Sequence, residues 1–428
     1  MGIYQLAYGT GWKQFQLNDE NVRMVVHPRT VDSQTTGVEA VREALATPIG
    51  SEPLKDKVRQ GQKVVVVTSD LTRPMPSRQV VPLVLDELVA GGVALEDITI
   101  VFAIGNHRPH TEAEMRYLVG DDIYEKVRCQ DSNPQDCLRL GWTSSGTPVD
   151  IYRPVVEADV RVCLGNIEFH WFAGYSGGVK AIMPGVSTRA AIQANHRHLV
   201  SRDAVAGELD KNPVRCDIEE VADFLPVQFI VNVVLNEKKE IIKAFAGHHQ
   251  LAHRQGCRFI DQMYKIDIGQ KADLVIVSAG GYPKDLNLYQ AQKALDNARQ
   301  AVRPGGIIIW VCRAQEGLGE EVFAEWMQQA DSPQAILQRI QTEFQLGGHK
   351  AAGLAAVLAD VSLFLVSDLD DAHVRSLFME PFAEVSGAVT EAMNRLGPDA
   401  GIILMPFGGS TLPVAASSGQ QSGTEVTL

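Results

Sequence analysis

The chain has 428 residues, 45% of them hydrophobic and 21% charged, and its 52 acidic side chains against 39 basic ones give a formal net charge of −13. That length supports two domains with separate cores, while the acidic balance excludes a nucleic-acid binder or a membrane-surface protein, since either needs a basic face. No apolar run reaches the about 18 residues of a membrane span, the start lacks a basic-then-apolar secretion signal, and the 6 cysteines show no C-x-x-C spacing, so a cytoplasmic protein with a small-molecule partner is expected.

The first strong element is 63–68, where four valines in a row predict a strand covered on both faces. It empties into Ser-Asp-Leu-Thr-Arg-Pro at 69–74, which puts the carboxylate of Asp70, the hydroxyl of Thr72 and the guanidinium of Arg73 on one turn. Arg73 can hold a carboxylate bidentately, although the same turn in isolation reads as a helix cap with an Asp–Arg pair. A helix is predicted over 77–91 and a strand over 98–102. The strand leads into Gly-Asn-His-Arg-Pro-His-Thr at 105–111, where His107 and His110 are both candidate proton-transfer groups. Helical stretch 112–127 and strand 160–164 continue an alternation that predicts an α/β fold of two domains. Each is a mostly parallel sheet flanked by helices, with sites beyond the carboxyl ends of the strands.

Strand 160–164 runs into GNIEFHWFAGYSGGVKAIMPG at 165–185. His170 is a candidate base, Ser176, Gly177 and Gly178 offer a hydroxyl and free amides to an anion, and Lys180 supplies an amine for a phosphate or a reactive carbonyl. A flexible turn beside a solvated lysine is the plain alternative. What favours a site is the recurrence of dense polar clusters at other strand ends. A helical stretch at 186–200 carries His196 and His198, and a further strand is predicted over 228–234.

A second βαβ series begins near 270, with strand 272–278, helix 287–302 and strand 305–312. Gln290 and Lys293 stand at i and i+3 on one helix face, and Gly347-Gly-His349-Lys350 precedes an alanine-rich helix. Strand 401–405 is expected to return the chain to the first domain. The predicted division is 1–267, rejoined by 403–428, and 268–402, with a frayed polar tail from Ala415. The absence of G-x-G-x-x-G, P-loop and H-E-x-x-H patterns argues against dinucleotide, P-loop and zinc-hydrolase chemistry.

Jointly, the segments at 69–74, 105–111 and 173–185 with His170 and Asn195-His196 resemble the nickel-dependent lactate racemase family across nearly the whole chain. The spacing agrees, with ten residues from His170 to Lys180 and sixteen from Lys180 to His196. The resemblance implies a racemase or epimerase that inverts a 2-hydroxy acid through a 2-keto acid. Reversible hydride transfer would go to a nickel pincer nucleotide, a pyridinium-derived group attached covalently to Lys180, with His196 as nickel ligand. It further implies His107 and His170 as the two bases. Asp70, Thr72, Ser176, Gly177 and Gly178 would hold the cofactor, and Arg73, Gln290 and Lys293 the substrate, in an interdomain cleft closed by the second domain. Separate enzymes would build the cofactor.

His349 and Lys350 stand where an aromatic wall of the lactate pocket is expected, and predict a larger or more anionic acid, such as a dicarboxylate or an aldonic acid. The rival reading is a non-catalytic carrier of an organic acid or of the cofactor. A pair of bases favours turnover.

Overall fold

The computed structural model describes residues 1–415 apart from Asp32, Glu237, Phe344 and Leu346; Ala415, where the sequence predicts the frayed tail to begin, ends strand Leu412–Ala415, and the rest of that tail lies outside the described residues. The chain forms two compact units, one of residues 31–262 and one of residues 1–30 together with 263 onward.

The 31–262 unit is built on a six-stranded sheet. Its order is Ile241–Gly247, Phe229–Leu235, Val160–Asn166, Val64–Ser69, Ile98–Ala103, Arg128–Asp131. All neighbours are parallel except the pair Phe229–Leu235 with Ile241–Gly247. Val64 to Thr68 are all buried, as a strand needs to be when helices cover both faces of a parallel sheet. From Val64–Ser69 the chain moves to Ile98–Ala103 on one side and later to Val160–Asn166 on the other. The strand order therefore reverses at Val64–Ser69, and a crevice for ligands forms at such a point. The sequence predicts a single helix over 112–127; instead it breaks at Gly120 (φ 89°) into Glu112–Val119 and Asp121–Lys126. Positive φ favours glycine and ends the first helix. Thr111 starts that helix with a capping box to Glu114.

The other unit has an all-parallel six-stranded sheet. Its order is Glu380–Phe382, Ser362–Val366, Val302–Val311, Ala272–Ser278, Ile402–Met405, Val22–Val25. This corrects the predicted division. Ile402–Met405 does not rejoin the first domain; it pairs with Ala272–Ser278 on one side and receives Val22–Val25 on the other. The physical reason lies in the core: Leu6, Phe15 and Leu17 of the amino-terminal hairpin are buried in one cluster with Leu274, Ile309, Phe364 and Leu404, so the first thirty residues belong to this sheet. Among the described residues no helix is long and apolar enough to cross a membrane.

Candidate active site

Three neighbouring strands of the 31–262 unit deliver the predicted residues from their carboxyl ends. Val64–Ser69 delivers Asp70, Thr72 and Arg73, Ile98–Ala103 delivers His107, and Val160–Asn166 delivers His170 and then Lys180.

Asp70 is 2% exposed and fully engaged. Its Oδ1 accepts from the Thr72 amide at 3.0 Å and the Thr72 hydroxyl at 2.7 Å, and its Oδ2 pairs with His107 Nδ1. Burial pushes the Asp70 carboxyl up, but the hydrogen bonds from His107 and Thr72, with the charges of His107 and Arg73, outweigh it and hold the group below its ordinary value. An ionised carboxylate at Nδ1 makes that nitrogen the donor, leaving Nε2 of His107 with its lone pair. Arg73 is exposed and donates to the Thr72 hydroxyl at 3.2 Å.

The other candidate in this loop, His110, has a structural role. Its Nδ1 donates to Asp131 at 2.6 Å and its Nε2 accepts from the Leu71 amide at 3.1 Å, so both ring nitrogens are occupied in joining two strand-end loops.

His170 lies in a two-strand hairpin, Phe169–His170 against Gly174–Tyr175, and its Nδ1 accepts from the Ala173 amide at 3.3 Å. At the hairpin tip Phe172 is 3% exposed and its ring is a common wall. His170 meets it edge-on at 4.6 Å between centroids and His196 at 4.8 Å, while Lys180 Nζ stands 5.9 Å from the ring centre. His196 is the last residue of helix Arg189–His196, started by the Thr188 cap. The preceding residue, Asn195, is 0% exposed and donates to buried Asp217 at 2.7 Å, anchoring that helix end.

Burial, then the charges of Lys180 and Arg73, lowers His170 well below its ordinary value. Lys180 is lowered likewise, by burial first and then by Arg215 and Arg73. A neutral amine is a nucleophile; an ammonium is not.

The expected anion cradle is corrected in part. Ser176 Oγ donates to the Asn166 carbonyl at 2.7 Å and accepts from the Glu168 amide at 2.9 Å, and the Gly178 amide donates to Asn232 Oδ1 at 2.8 Å. These donors hold the loop to its own protein. Gly177 and Gly178 have φ of 79° and 62°, and a Cβ on Gly177 would stand 2.8 Å from Asn232 Oδ1. The glycines are required by this close internal packing.

In the other unit, Gln290 is exposed and Lys293 partly so on helix Leu288–Ala298, capped by Asn287. Lys350 Nζ lies 4.0 Å from Asp296 and 5.7 Å from the centre of the Tyr289 ring. Buried His349 accepts from the Gly347 amide at 3.2 Å. Of the predicted cationic wall, Lys350 has Asp296 near it, and His349 is part of its own helix start.

Sequence reading missed Arg215, Asn232 and His253, which brace the Lys180 loop from behind. It also missed Phe172. Only the apolar register of helix Pro213–Phe224 hinted at Arg215, which stands beside Val214 and one turn before Ile218, both buried. A separate cavity of about 330 Å³, lined by Glu219, Glu220, Asp223 and His249 among others, shares only Gly178 with the predicted set.

The residues fit the group that the resemblance implies. Lys180 offers an amine that burial and neighbouring positive charge lower, and His196 offers one imidazole, a donor that suits nickel. Among the described residues no three His, Cys, Asp or Glu side chains gather as a metal site.

Residues 8–207 match the lactate racemase N-terminal domain and residues 268–412 the lactate racemase C-terminal domain. The lactate racemase of Thermoanaerobacterium thermosaccharolyticum is 33% identical over 424 residues, covering 96% of this chain and 99% of its own. That of Lactiplantibacillus plantarum is 33% identical over 405 residues, covering 92% and 95%. The solved apoprotein from T. thermosaccharolyticum superposes with a TM-score of 0.85 at 32% identity, covering 96% of this chain and 100% of its own. A Thermotoga maritima structure with a TM-score of 0.61 at 17% identity shares the fold alone. Fold and relatives define an α/β isomerase of the racemase class. The chain belongs to the lactate racemase family.

Proposed function

We propose that the protein racemises or epimerises a 2-hydroxy acid in the cytoplasm, with lactate, the acid its relatives are named for, as the first substrate to test. The observation that carries this reading is the convergence of His170, His196 and the Lys180 amine on the Phe172 ring, with a carboxylate-backed His107 on another strand-end loop of the same sheet. Lys180 is the attachment point of a nickel pincer nucleotide and His196 its protein nickel ligand. When bound, that group supplies a reversible hydride acceptor, which is what inversion through a 2-keto acid requires.

The chain's own residues do the rest. His107, oriented by Asp70, takes or returns the hydroxyl proton at Nε2; His170 serves the opposite enantiomer. Arg73 binds the carboxylate, with Gln290 and Lys293 as further substrate ligands. Thr72 remains a cofactor ligand, whereas Asp70 is reassigned to positioning His107. His349 and Lys350 keep dicarboxylic and aldonic acids on the panel beside lactate, with Asp296 4.0 Å from Lys350.

The test is production of the protein together with enzymes that build the cofactor, followed by chiral analysis of a panel of 2-hydroxy acids. Interconversion of D- and L-lactate that is lost in His107→Ala and in His170→Ala, with the cofactor still attached, supports the two-base scheme. Normal turnover in either variant overturns it.

A further inference from the structure

Helix Arg189–His196 ends on the residue read as the nickel ligand, and it is only 8 residues long. Isolated helices shorter than about 12 residues are marginal in water, so the place of this one is decided by what holds its ends. Its start is held by Thr188, whose hydroxyl accepts from the Ala191 amide at 3.2 Å and donates to Asp150 Oδ2 at 3.0 Å on strand Pro148–Tyr152. Its end is held by Asn195, whose side-chain nitrogen donates to the Val214 carbonyl at 3.1 Å and to Asp217 Oδ2 at 2.7 Å. Both N–H bonds of that amide are thereby used, and turning it over would aim its oxygen at two acceptors.

Asp217 is 1% exposed. Besides the bond from Asn195, its Oδ2 accepts from the Thr147 hydroxyl at 2.7 Å and its Oδ1 from the Thr143 hydroxyl. These threonines stand in the turn between strands Cys137–Trp142 and Pro148–Tyr152. All three donors are neutral. Burying a carboxylate among neutral donors is costly, and an apolar side chain of similar size would fill the space at less cost. What the carboxylate adds is one arrangement of the three segments that meet on it.

The same helix start sets the facing wall of the site. Asn212 caps helix Pro213–Phe224, accepting from the Val214 and Arg215 amides at 3.1 Å, and its side-chain nitrogen donates to the Phe172 carbonyl at 2.9 Å. The Phe172 ring and the His196 ring that meets it at 4.8 Å between centroids therefore both take their places from one end of helix Pro213–Phe224.

We infer that Asp217 is a positioning residue that, through Asn195, holds the His196 imidazole where it retains nickel. The inference rests on the reading of His196 as the nickel ligand. Partners outside the ligand set fix the direction of a metal-binding histidine, and removing one weakens metal binding about 10- to 100-fold. Here the direction is imposed along the chain: Asn195 and His196 are consecutive, so a helix end released from Asp217 carries the imidazole with it.

The experiment uses protein produced together with the cofactor-building enzymes. Nickel per Lys180 adduct is followed by metal analysis and intact mass during exposure to excess EDTA, with the visible absorption of the bound nickel recorded alongside. Asp217→Asn and Asn195→Ala are each expected to carry the wild-type amount of adduct, to shift the absorption, and to lose nickel about tenfold faster than the wild type. Thr143→Val removes the donor to Oδ1 of the same carboxylate and leaves the Asn195 bond on Oδ2. It is expected to lower Tm and yet lose nickel at the wild-type rate.

A wild-type rate of nickel loss in folded Asp217→Asn overturns the inference. So does a Thr143→Val protein that loses nickel as fast as Asp217→Asn, since the loss then follows general loosening and not the link to Asn195. If Asp217→Asn does not fold, Asn195→Ala decides: it keeps the carboxylate with both threonine donors, and a wild-type rate there overturns the inference. Failure of the ligand reading is seen separately, as a His196→Ala protein that keeps its nickel as the wild type does.

Discussion

The two units use the same plan, a six-stranded sheet with helices, and treat their strand-end loops differently. In the 31–262 unit, adjacent parallel strands release Asp70, Arg73, His107, His170 and Lys180 at one edge, where Asp70 is a buried carboxylate and Lys180 an amine lowered by burial. In the other unit the loop after Ala272–Ser278 is closed on itself. Asp285 there accepts from the Gly9 amide at 2.6 Å and the Arg313 amide at 3.3 Å. Lys350 and Asp296 stand 4.0 Å apart there, the lysine lowered and the carboxyl raised chiefly by burial, so this unit holds one perturbed pair of its own. Perturbed groups mark function when they cluster in a concave place, and satisfied ones mark structure. The two candidate bases and the candidate attachment lysine all stand in the 31–262 unit.

The sharpest way to break this contrast is Lys180→Ala. It should lose both the covalent adduct, read by intact mass, and all racemisation. Next come the bases: His107→Ala and His170→Ala should each lower the rate by about 10²- to 10⁴-fold, the range of a positioned general base, with nickel content unchanged. Asp70→Asn should follow His107→Ala in direction, because an amide no longer fixes the Nδ1–H tautomer. Arg73→Lys should raise KM for lactate about tenfold while changing kcat less, since a point charge replaces a bidentate fork.

Smaller still is Lys350→Met, expected to change kcat/KM for lactate by less than about threefold. A loss as large as that of the His107 variant would move part of the chemistry to the second unit and dissolve the contrast.

A stability prediction sharpens the account of the loop's support. His253 is 1% exposed and donates to the Ser176 carbonyl at 2.8 Å, and burial, reinforced by Arg215, lowers it to about 3. The unfolded chain, with an ordinary histidine near 6.5, therefore binds a proton that the folded chain refuses between these values. Stability is at its full level above about 6.5 and falls as pH drops toward 3. His253→Gln should flatten that slope in thermal unfolding followed from pH 7 to about 4. An unchanged slope would show that His253 is not kept neutral by the fold.

What was legible in the sequence follows from what is local. Valines 64–67 mark a strand covered on both faces, because that state needs an unbroken apolar run, and the same rule located Val160–Asn166 and Ala272–Ser278. The domain division was not legible. Pairing Val22–Val25 with Ile402–Met405 joins opposite ends of the chain, and four residues carry no signal for so distant a partner. The break at Gly120 had its cue in the glycine itself, outweighed by the periodicity around it.

The site shows the same limit. Residue types and spacing picked out His107, His170, Lys180 and His196, but partnerships were hidden. Asp70 was read as a cofactor ligand because nothing in a turn tells that its carboxylate reaches a histidine thirty-seven positions later. Ser176 and Gly178 look like free donors in a string of letters, and only the approach of Asn166 and Asn232 engages them. Arg215 is hidden for the same reason, since the Ala173 and Tyr175 carbonyls it bonds lie far upstream in the chain.

The central claim is that chemistry in the 31–262 unit runs through a group attached to Lys180. Intact mass and metal analysis of one catalytically active preparation, with peptide mapping of residue 180, tests it most directly. The account predicts a covalent adduct on Lys180 with about one nickel per adduct, and activity proportional to adduct. Full racemase activity from protein whose Lys180 is unmodified would contradict it.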